Sequence, residues 1–345
     1  MLTELAATRA RIALRAELAG LRARRIAVVH GGVSAEDRLN AERFPVEEWS
    51  LTPIMQTMRQ LGLTAVHLDP TSDRFVDAVR EHDLVFLNVH GPYGEDGRIQ
   101  GLLDYLQLAY TTSGVLAGCV GADKLMTKAV CARLSIRTPA YRSIDPVVED
   151  DLAVRFPAML KASAGGTSLG VVLVEDEHAV RGALVELRLL GYARCFLEEY
   201  VRGRSLTIGL LDLPGGTMVL PPLEAVARRP FYDRATKFSL GADSAVRFHV
   251  PEDLPAEVVK EMAGFALRLF RHLGCRGAAR VDFVVAGDTH RPHLLEINTV
   301  PGFHPRGNLA LAAAAAGLDH QDLVLALLAE AAGRSNPPPW RPMAS

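Results

Sequence analysis

The 345-residue chain is short of cysteine, of charge imbalance and of long apolar runs. Its four cysteines, Cys119, Cys131, Cys195 and Cys275, show neither paired spacing nor Cys/His clusters. That excludes a disulfide framework, argues against zinc and fits a reduced cytoplasm. With 38 Lys+Arg against 40 Asp+Glu the formal net charge is -2, so nothing marks a nucleic-acid-binding protein, and any nucleotide must be held locally. The longest apolar run, Leu309 to Gly317, is too short and too Ala-rich to span a bilayer, so no membrane partner is expected. Length alone allows two or three units with real cores.

The first residues, "MLTELAATRARIALRAELAGLRARR", carry helical spacing at Leu2, Leu5, Ile12, Leu18 and Leu21. Glu4, Glu17 and the lack of serine weigh against a targeting peptide. A packed or partner-facing helical extension is expected over 1–24. "SNPPPWRPMAS" reads as an extended tail over 334–345. Between them, "RRIAVVHGG", "TAVHLD" and "DLVFLNVHG" read as strands alternating with helices in "VEEWSLTPIMQTMRQLGL" and "FVDAVREH". That alternation predicts a parallel α/β domain over 25–123, with ligand binding at the strand ends Gly31-Gly32 and His90-Gly91. A smaller unit, 124–204, contains "FPAMLKAS", "AGGTSLGV", "VVLVED" and "CFLEEYV". A third, 205–333, holds several antiparallel segments with helices near 255–273 and 319–333.

The segment "RVDFVVAGDTHRPHLLEINTVPG" is the most informative. Alternating Val281, Phe283 and Val285, then Leu295 and Ile297, predict two strands joined by a turn at Gly287 to Pro292. A hairpin centred near Thr289 sets Asp282 opposite Glu296 and Arg280 opposite Asn298. These four polar groups then share one face, with Val281, Phe283, Leu295 and Ile297 on the other. The pattern alone fits a functional face and a cross-strand salt-bridge cluster equally well.

"KASAGGTSLGV" sets Lys161 before a small-residue turn whose N–H groups, with the Thr167 and Ser168 hydroxyls, suit a phosphate, although it lacks the Gly-Lys-Ser/Thr ending of a Walker A loop. Lys124 in "GADK" adds a second cation. "FLEEYV" offers Glu198 and Glu199, either one solvated and one paired carboxylate or, with Val201, a strand edge that reads adenine. "FYDRATKF" carries Lys237 in a loop that either covers a phosphate or is ordinary surface. His90 in "HGPYGEDG" and Glu36 in "GGVSAED" have plain turn and helix-capping readings beside functional ones.

Taken together, "HGPYGEDGRIQGLLDYL", "YTTSGVLAGCVGADKLMTK", "KASAGGTSLGV", "FYDRATKF", "RVDF" and "LEINTVPG" resemble, in order and spacing, the D-alanine–D-alanine ligases, which are ATP-grasp carboxylate–amine ligases. The likeness covers about residues 25 to 333. It implies an α/β ATP-grasp fold of three domains led by a parallel α/β domain. It also implies an ATP-dependent ligase that activates a D-alanine-like carboxylate as an acyl phosphate and joins it to an amine or hydroxyl. ATP and two Mg2+ ions, or Mn2+ in their place, are the implied cofactors. Asp282, Glu296 and Asn298 match the metal ligands, and Arg280 and the Gly302 N–H the oxyanion donors. Lys124, Lys161, Lys237, Thr167, Ser168, Glu198, Glu199 and Val201 match the nucleotide site. Glu36 and His90 match the first-substrate site, and a homodimer is one assembly the resemblance opens.

Three departures stand against the pattern. Phe238 replaces a tyrosine whose hydroxyl ties the covering loop to a serine, here Thr167, and to the glutamate, here Glu36. Gly307, between Arg306 and Asn308, replaces the serine for the second substrate's carboxylate. Ser205 replaces the glutamate expected at the ribose. These departures leave open a specialised natural-product or depsipeptide ligase with another acceptor. A regulator that binds nucleotide without turnover is disfavoured by Arg280.

Overall fold

A computed structural model describes residues 2–32, 50–144, 154–165, 170–227 and 246–334, and the structure below is that of these residues. Helix α1 (Leu2–Arg22) precedes strand β1 (Ile26–Val29). There follow α2 (Leu51–Gln60), β2 (Ala65–Leu68), α3 (Phe75–Arg80), β3 (Leu84–Leu87), α4 (Arg98–Tyr105) and β4 (Ala109–Tyr110). The four strands form a parallel sheet in the order β2-β1-β3-β4. β1 and β3 are buried along their whole length, as unbroken apolar runs in a parallel sheet must be.

Two helices, α5 (Val115–Ala122) and α6 (Lys124–Arg133), lead into a second sheet. Its strands are β5 (Tyr141–Ile144), β6 (Ala158–Ala162), β7 (Val171–Val174) and β8 (Cys195–Glu199), antiparallel in the order β5-β8-β6-β7. Helix α7 (Glu177–Leu189) is capped by Asp176 and buries Val180, Ala183, Leu184 and Leu187 against it, one stripe at helical spacing. β8 stops at Glu199, so Tyr200 and Val201 lie beyond the strand that the sequence extends to Val201.

The third sheet is antiparallel: β9 (Gly203–Leu213), β10 (Gly216–Val219), β11 (Leu223–Ala227), β12 (Val246–His249), β13 (Ala278–Ala286) and β14 (Pro292–Asn298). Its order is β12-β11-β9-β13-β14, with β10 on β9. β9 takes in Gly203 and Arg204, ahead of the expected boundary at Ser205. Helix α8 (Ala256–His272) covers one face with Val258, Met262, Phe265, Ala266, Leu269 and Phe270.

Helix α9 (Asn308–Ala315), hidden in the sequence within an alanine run, and α10 (His320–Ala332) close the chain's fold. α10 touches β3 and β4 of the first sheet and β9 of the third, so it joins the two units through one core. Among the described residues no single helix is long and apolar enough to cross a membrane.

α1 packs on α10 with only part of the expected face. Leu21 is buried and Leu18 packs against the core as the spacing implies, but Leu5 and Ile12 are 54% and 68% exposed, and Ala7, Ala10 and Leu14 are buried instead. α10 is itself alanine-rich, and small side chains on both helices let their axes approach.

Candidate active site

The hairpin β13–β14 pairs Arg280 with Asn298 and Asp282 with Glu296, the register expected from the sequence. One expectation fails. The register shifts between Asp282 and Phe283, which pairs with Leu294, so Leu295 is the extra residue of a bulge. Leu294 takes the core position, fully buried, and Leu295 is left half-buried outside it. The bulge ends the strict alternation at the point where the carboxylates gather.

The Arg280 guanidinium donates from Nε to Asp282 Oδ1 at 2.7 Å and from Nη2 to Oδ2 at 2.8 Å, a two-pronged pair. Glu296 is held at 3.0 Å by Lys124 Nζ. Asn298 Oδ1 accepts from the Val300 N–H at 3.0 Å. Each carboxylate on the site face therefore has its own cation from the protein.

Lys124 reaches that face because of where α6 starts. Asp123 caps the helix, accepting from the Leu125 and Met126 N–H groups, and bridges backbone to backbone with Ala164 beyond β6. Lys124 Nζ also donates to the Gly165 carbonyl at 2.6 Å. One ammonium group thus links the start of the Gly-rich turn to the hairpin of the other sheet.

Lys161, on β6, is ion-paired with Glu198 of β8. Lys128, four residues after Lys124 on α6, pairs with the other oxygen of the same carboxylate, its own side chain 0% exposed. Its Nζ lies 4.9 Å from the Tyr141 ring centroid and 5.9 Å from that of Phe196. Burial would raise the Glu198 carboxyl, but Lys161 and Lys128 outweigh it and hold it below its ordinary value. Burial pulls the Lys128 ammonium down, against the opposing effect of Glu198. Lys128 was not among the candidates. A lysine one turn after Lys124 reads in sequence as a solvated face, and only the contacts of Lys128 with Tyr141 of β5 and with Phe196 and Glu198 of β8 show otherwise. Glu199 is half-buried, Val201 is half-buried beyond the strand, and Ser205 is exposed.

A second polar group lies at the C-terminal ends of β1 and β3. His90 Nδ1 is 3.3 Å from Glu95 Oε1. His30 Nδ1 is 2.9 Å from the Asn88 carbonyl and 3.0 Å from the Asn88 amide nitrogen, which donates to Ser50 Oγ at 2.8 Å. Burial pushes the His30 imidazole below its ordinary value, and nearby His90 and His67 add to that. His30 and Asn88 were also missed, since a histidine ending an apolar run carries no spacing signal. Gly302 is half-buried after β14, and Arg306 is exposed. Gly307 caps α9 with no side chain to offer its N–H groups. Glu36, Thr167, Ser168, Lys237 and Phe238 lie outside the described residues.

The donor set fits magnesium. Asp282, Glu296 and Asn298 present two carboxylates and an amide carbonyl, hard oxygen ligands without sulfur or imidazole. The partners of the two carboxylates are cations that incoming ligands can displace.

Comparison with known proteins follows the same lines. The family described as "D-ala D-ala ligase C-terminus" matches residues 141–329, and "D-ala D-ala ligase N-terminus" matches 50–113. The chain is 35% identical over 308 residues to the D-alanine–D-alanine ligase of Desulforudis audaxviator, covering 87% of this chain and 96% of the relative. It is 33% identical over 328 residues to that of Bordetella petrii, covering 91% and 94%. Among solved structures, D-alanine–D-alanine ligase from Bacillus anthracis superposes with a TM-score of 0.75 at 26% identity, covering 90% of this chain and 97% of that one.

Proposed function

Because the chain belongs to the D-alanine–D-alanine ligase family, we propose that its site phosphorylates the carboxylate of D-alanine with ATP and joins the acyl group to the amine of a second D-alanine. The observation that carries this reading is the pairing of Arg280 with Asp282 and of Lys124 with Glu296 on one hairpin face.

In this reading the substrate carboxylate oxygen attacks the γ-phosphorus and ADP leaves, giving an acyl phosphate. Lys124 and Lys161 draw charge off the phosphate oxygens as the bond to ADP breaks, and Lys237 does so from the 231–238 loop. Asp282, Glu296 and Asn298 would hold two Mg2+ ions, or Mn2+ in their place, which when bound supply charge neutralisation along the triphosphate. The free amine of the second substrate then attacks the acyl carbon. Arg280 and the Gly302 N–H donate to the oxyanion of the tetrahedral intermediate, which expels inorganic phosphate. Glu36 and His90 position the first substrate, and the 231–238 loop excludes water that would hydrolyse the acyl phosphate. Glu198, Glu199 and Val201 border the adenine, and Thr167 and Ser168 the phosphates.

The test is ADP release with D-alanine. Glu296→Gln is expected to lower turnover by on the order of a hundredfold with the fold intact, since several kcal/mol of charge stabilisation depend on that ligand set. Arg280→Ala should keep nucleotide binding and lose roughly 10²–10³ in kcat. Near-normal rates in both variants would make the hairpin a structural salt-bridge cluster.

A second reading, another acceptor such as D-lactate, a bulkier amino acid or an amine, is favoured by Gly307. That residue opens α9 without a hydroxyl, beside the exposed Arg306. Product analysis by mass spectrometry with mixed acceptors separates the two readings.

A further inference from the structure

Lys128 has no part in the chemistry proposed above, yet its ammonium group is fully enclosed, with a side-chain exposure of 0%. An enclosed lysine is costly unless a partner holds it, and its partner is the Glu198 carboxylate. That carboxylate, 2% exposed, also holds Lys161. Lys128 meets one oxygen and Lys161 the other, so two ammonium groups share one anion. The trio carries one net positive charge.

The two lysines are not equivalent. Lys161 keeps an 11% exposed side chain at the end of β6, one strand residue before the turn that leads to Gly165. Lys128 lies against the rings of Tyr141 and Phe196 with none of its side chain exposed. Only Lys161 is placed to exchange Glu198 for a phosphate oxygen. When it does, Glu198 stays buried and needs a cation, and Lys128 is already there.

We propose that Lys128 is a positioning residue that neutralises Glu198 permanently, so that Lys161 is free to transfer its charge to the phosphates of ATP. Without Lys128 the carboxylate has Lys161 as its one remaining cation in the trio. Moving Lys161 to phosphate would then strand a buried anion. The inference rests on the ATP-dependent reading above and deepens it.

The experiment measures dissociation constants for Mg-ATP and for adenosine by calorimetry on the full-length chain, and takes the ratio of adenosine to Mg-ATP as the phosphate-dependent gain. In Lys128→Met that gain is expected to fall roughly tenfold, the size of one lost charge-assisted hydrogen bond, with adenosine affinity unchanged. In the double variant Lys128→Met/Glu198→Gln the gain should return towards wild type, because Lys161 no longer has a carboxylate to neutralise. Equal weakening of adenosine and Mg-ATP in Lys128→Met would show a packing role and overturn the proposal, as would an unchanged gain or a double variant with no recovery. If Lys128→Met does not fold, Glu198→Gln is compared with the double variant. With no carboxylate to hold, the two should share one gain, and a lower gain in the double variant would overturn the proposal. Absence of Mg-ATP binding by the wild-type protein would defeat the ligase reading itself, a result distinct from all of these.

Discussion

At Gly302 a Cβ would meet no heavy atom within 4 Å among the described residues, and the backbone there is outside the left-handed region. Nothing described in the protein demands glycine at this position, and on the proposed function the open volume beside it is where the substrate would lie. The two uses of a glycine separate in one variant. Gly302→Ala keeps the N–H, restricts the unfolded chain and should raise stability by about 0.4–1 kcal/mol in denaturant unfolding. The same methyl group should lower kcat/KM for D-alanine about tenfold by intruding where the acyl group sits. A variant both more stable and fully active would place the substrate elsewhere. Gly307 is a different case: its backbone is extended, so serine is conformationally allowed, but a Cβ would sit 3.0 Å from the His304 carbonyl oxygen.

At the scale of the element, α1 shows how an extension outside the strand–helix alternation becomes part of the core. Leu14 and Leu21 share one cluster with the apolar residues of α10 from Leu323 to Leu328. Arg11 Nε donates to Asp322 Oδ2 at 3.0 Å, and Asp322 is part of the capping box that starts α10. Leu14→Ala is therefore expected to cost about 2–5 kcal/mol in denaturant unfolding, with kcat unchanged well below the midpoint. A loss under ~1 kcal/mol would mean that α1 is loosely docked. The α1 stripe held at Leu18 and Leu21 but was misread at Leu5 and Ile12, because leucine and isoleucine outrank alanine in hydropathy while packing against an alanine-rich helix buries Ala7 and Ala10. The hairpin register was legible because polar residues at 280, 282, 296 and 298 fall at period two on both strands. Its bulge was not, since Leu294 and Leu295 are identical in the pattern and only the packing of Leu294 distinguishes them. α9 was illegible for the same reason: an alanine run has no face to read.

The whole molecule brings two antiparallel sheets to one line of charge, with Lys124 bonded to the Gly165 carbonyl on one side and to Glu296 on the other. Within the protein that line is neutralised internally, Arg280 on Asp282 and Lys124 on Glu296. A divalent cation arriving alone must compete with those ammonium and guanidinium groups for the carboxylates. A triphosphate arriving alone would have to draw Lys124 away and leave Glu296 bare near its own charge. On the proposed function, ligands arriving together would exchange partners: the phosphates would take Lys124, Arg280 would turn to the reacting carboxyl group, and the metal would take the carboxylates. Each ligand removes the obstacle to the other, so their binding free energies are coupled, and the coupling is reciprocal. The affinity for Mg2+ is accordingly expected to rise at least roughly tenfold when a non-hydrolysable ATP analogue is present, about 1.4 kcal/mol of coupling, beyond the chelation of Mg2+ by the analogue itself. Titration calorimetry measures both arms, with the analogue's own Mg2+ affinity determined separately. Lys124→Met should shrink the coupling by freeing Glu296 beforehand, raising Mg2+ affinity without nucleotide while weakening the analogue. If Mg2+ binds equally well with and without nucleotide, and Lys124→Met changes neither value, the ion pairs across the two sheets are fixed structure and not exchangeable partners.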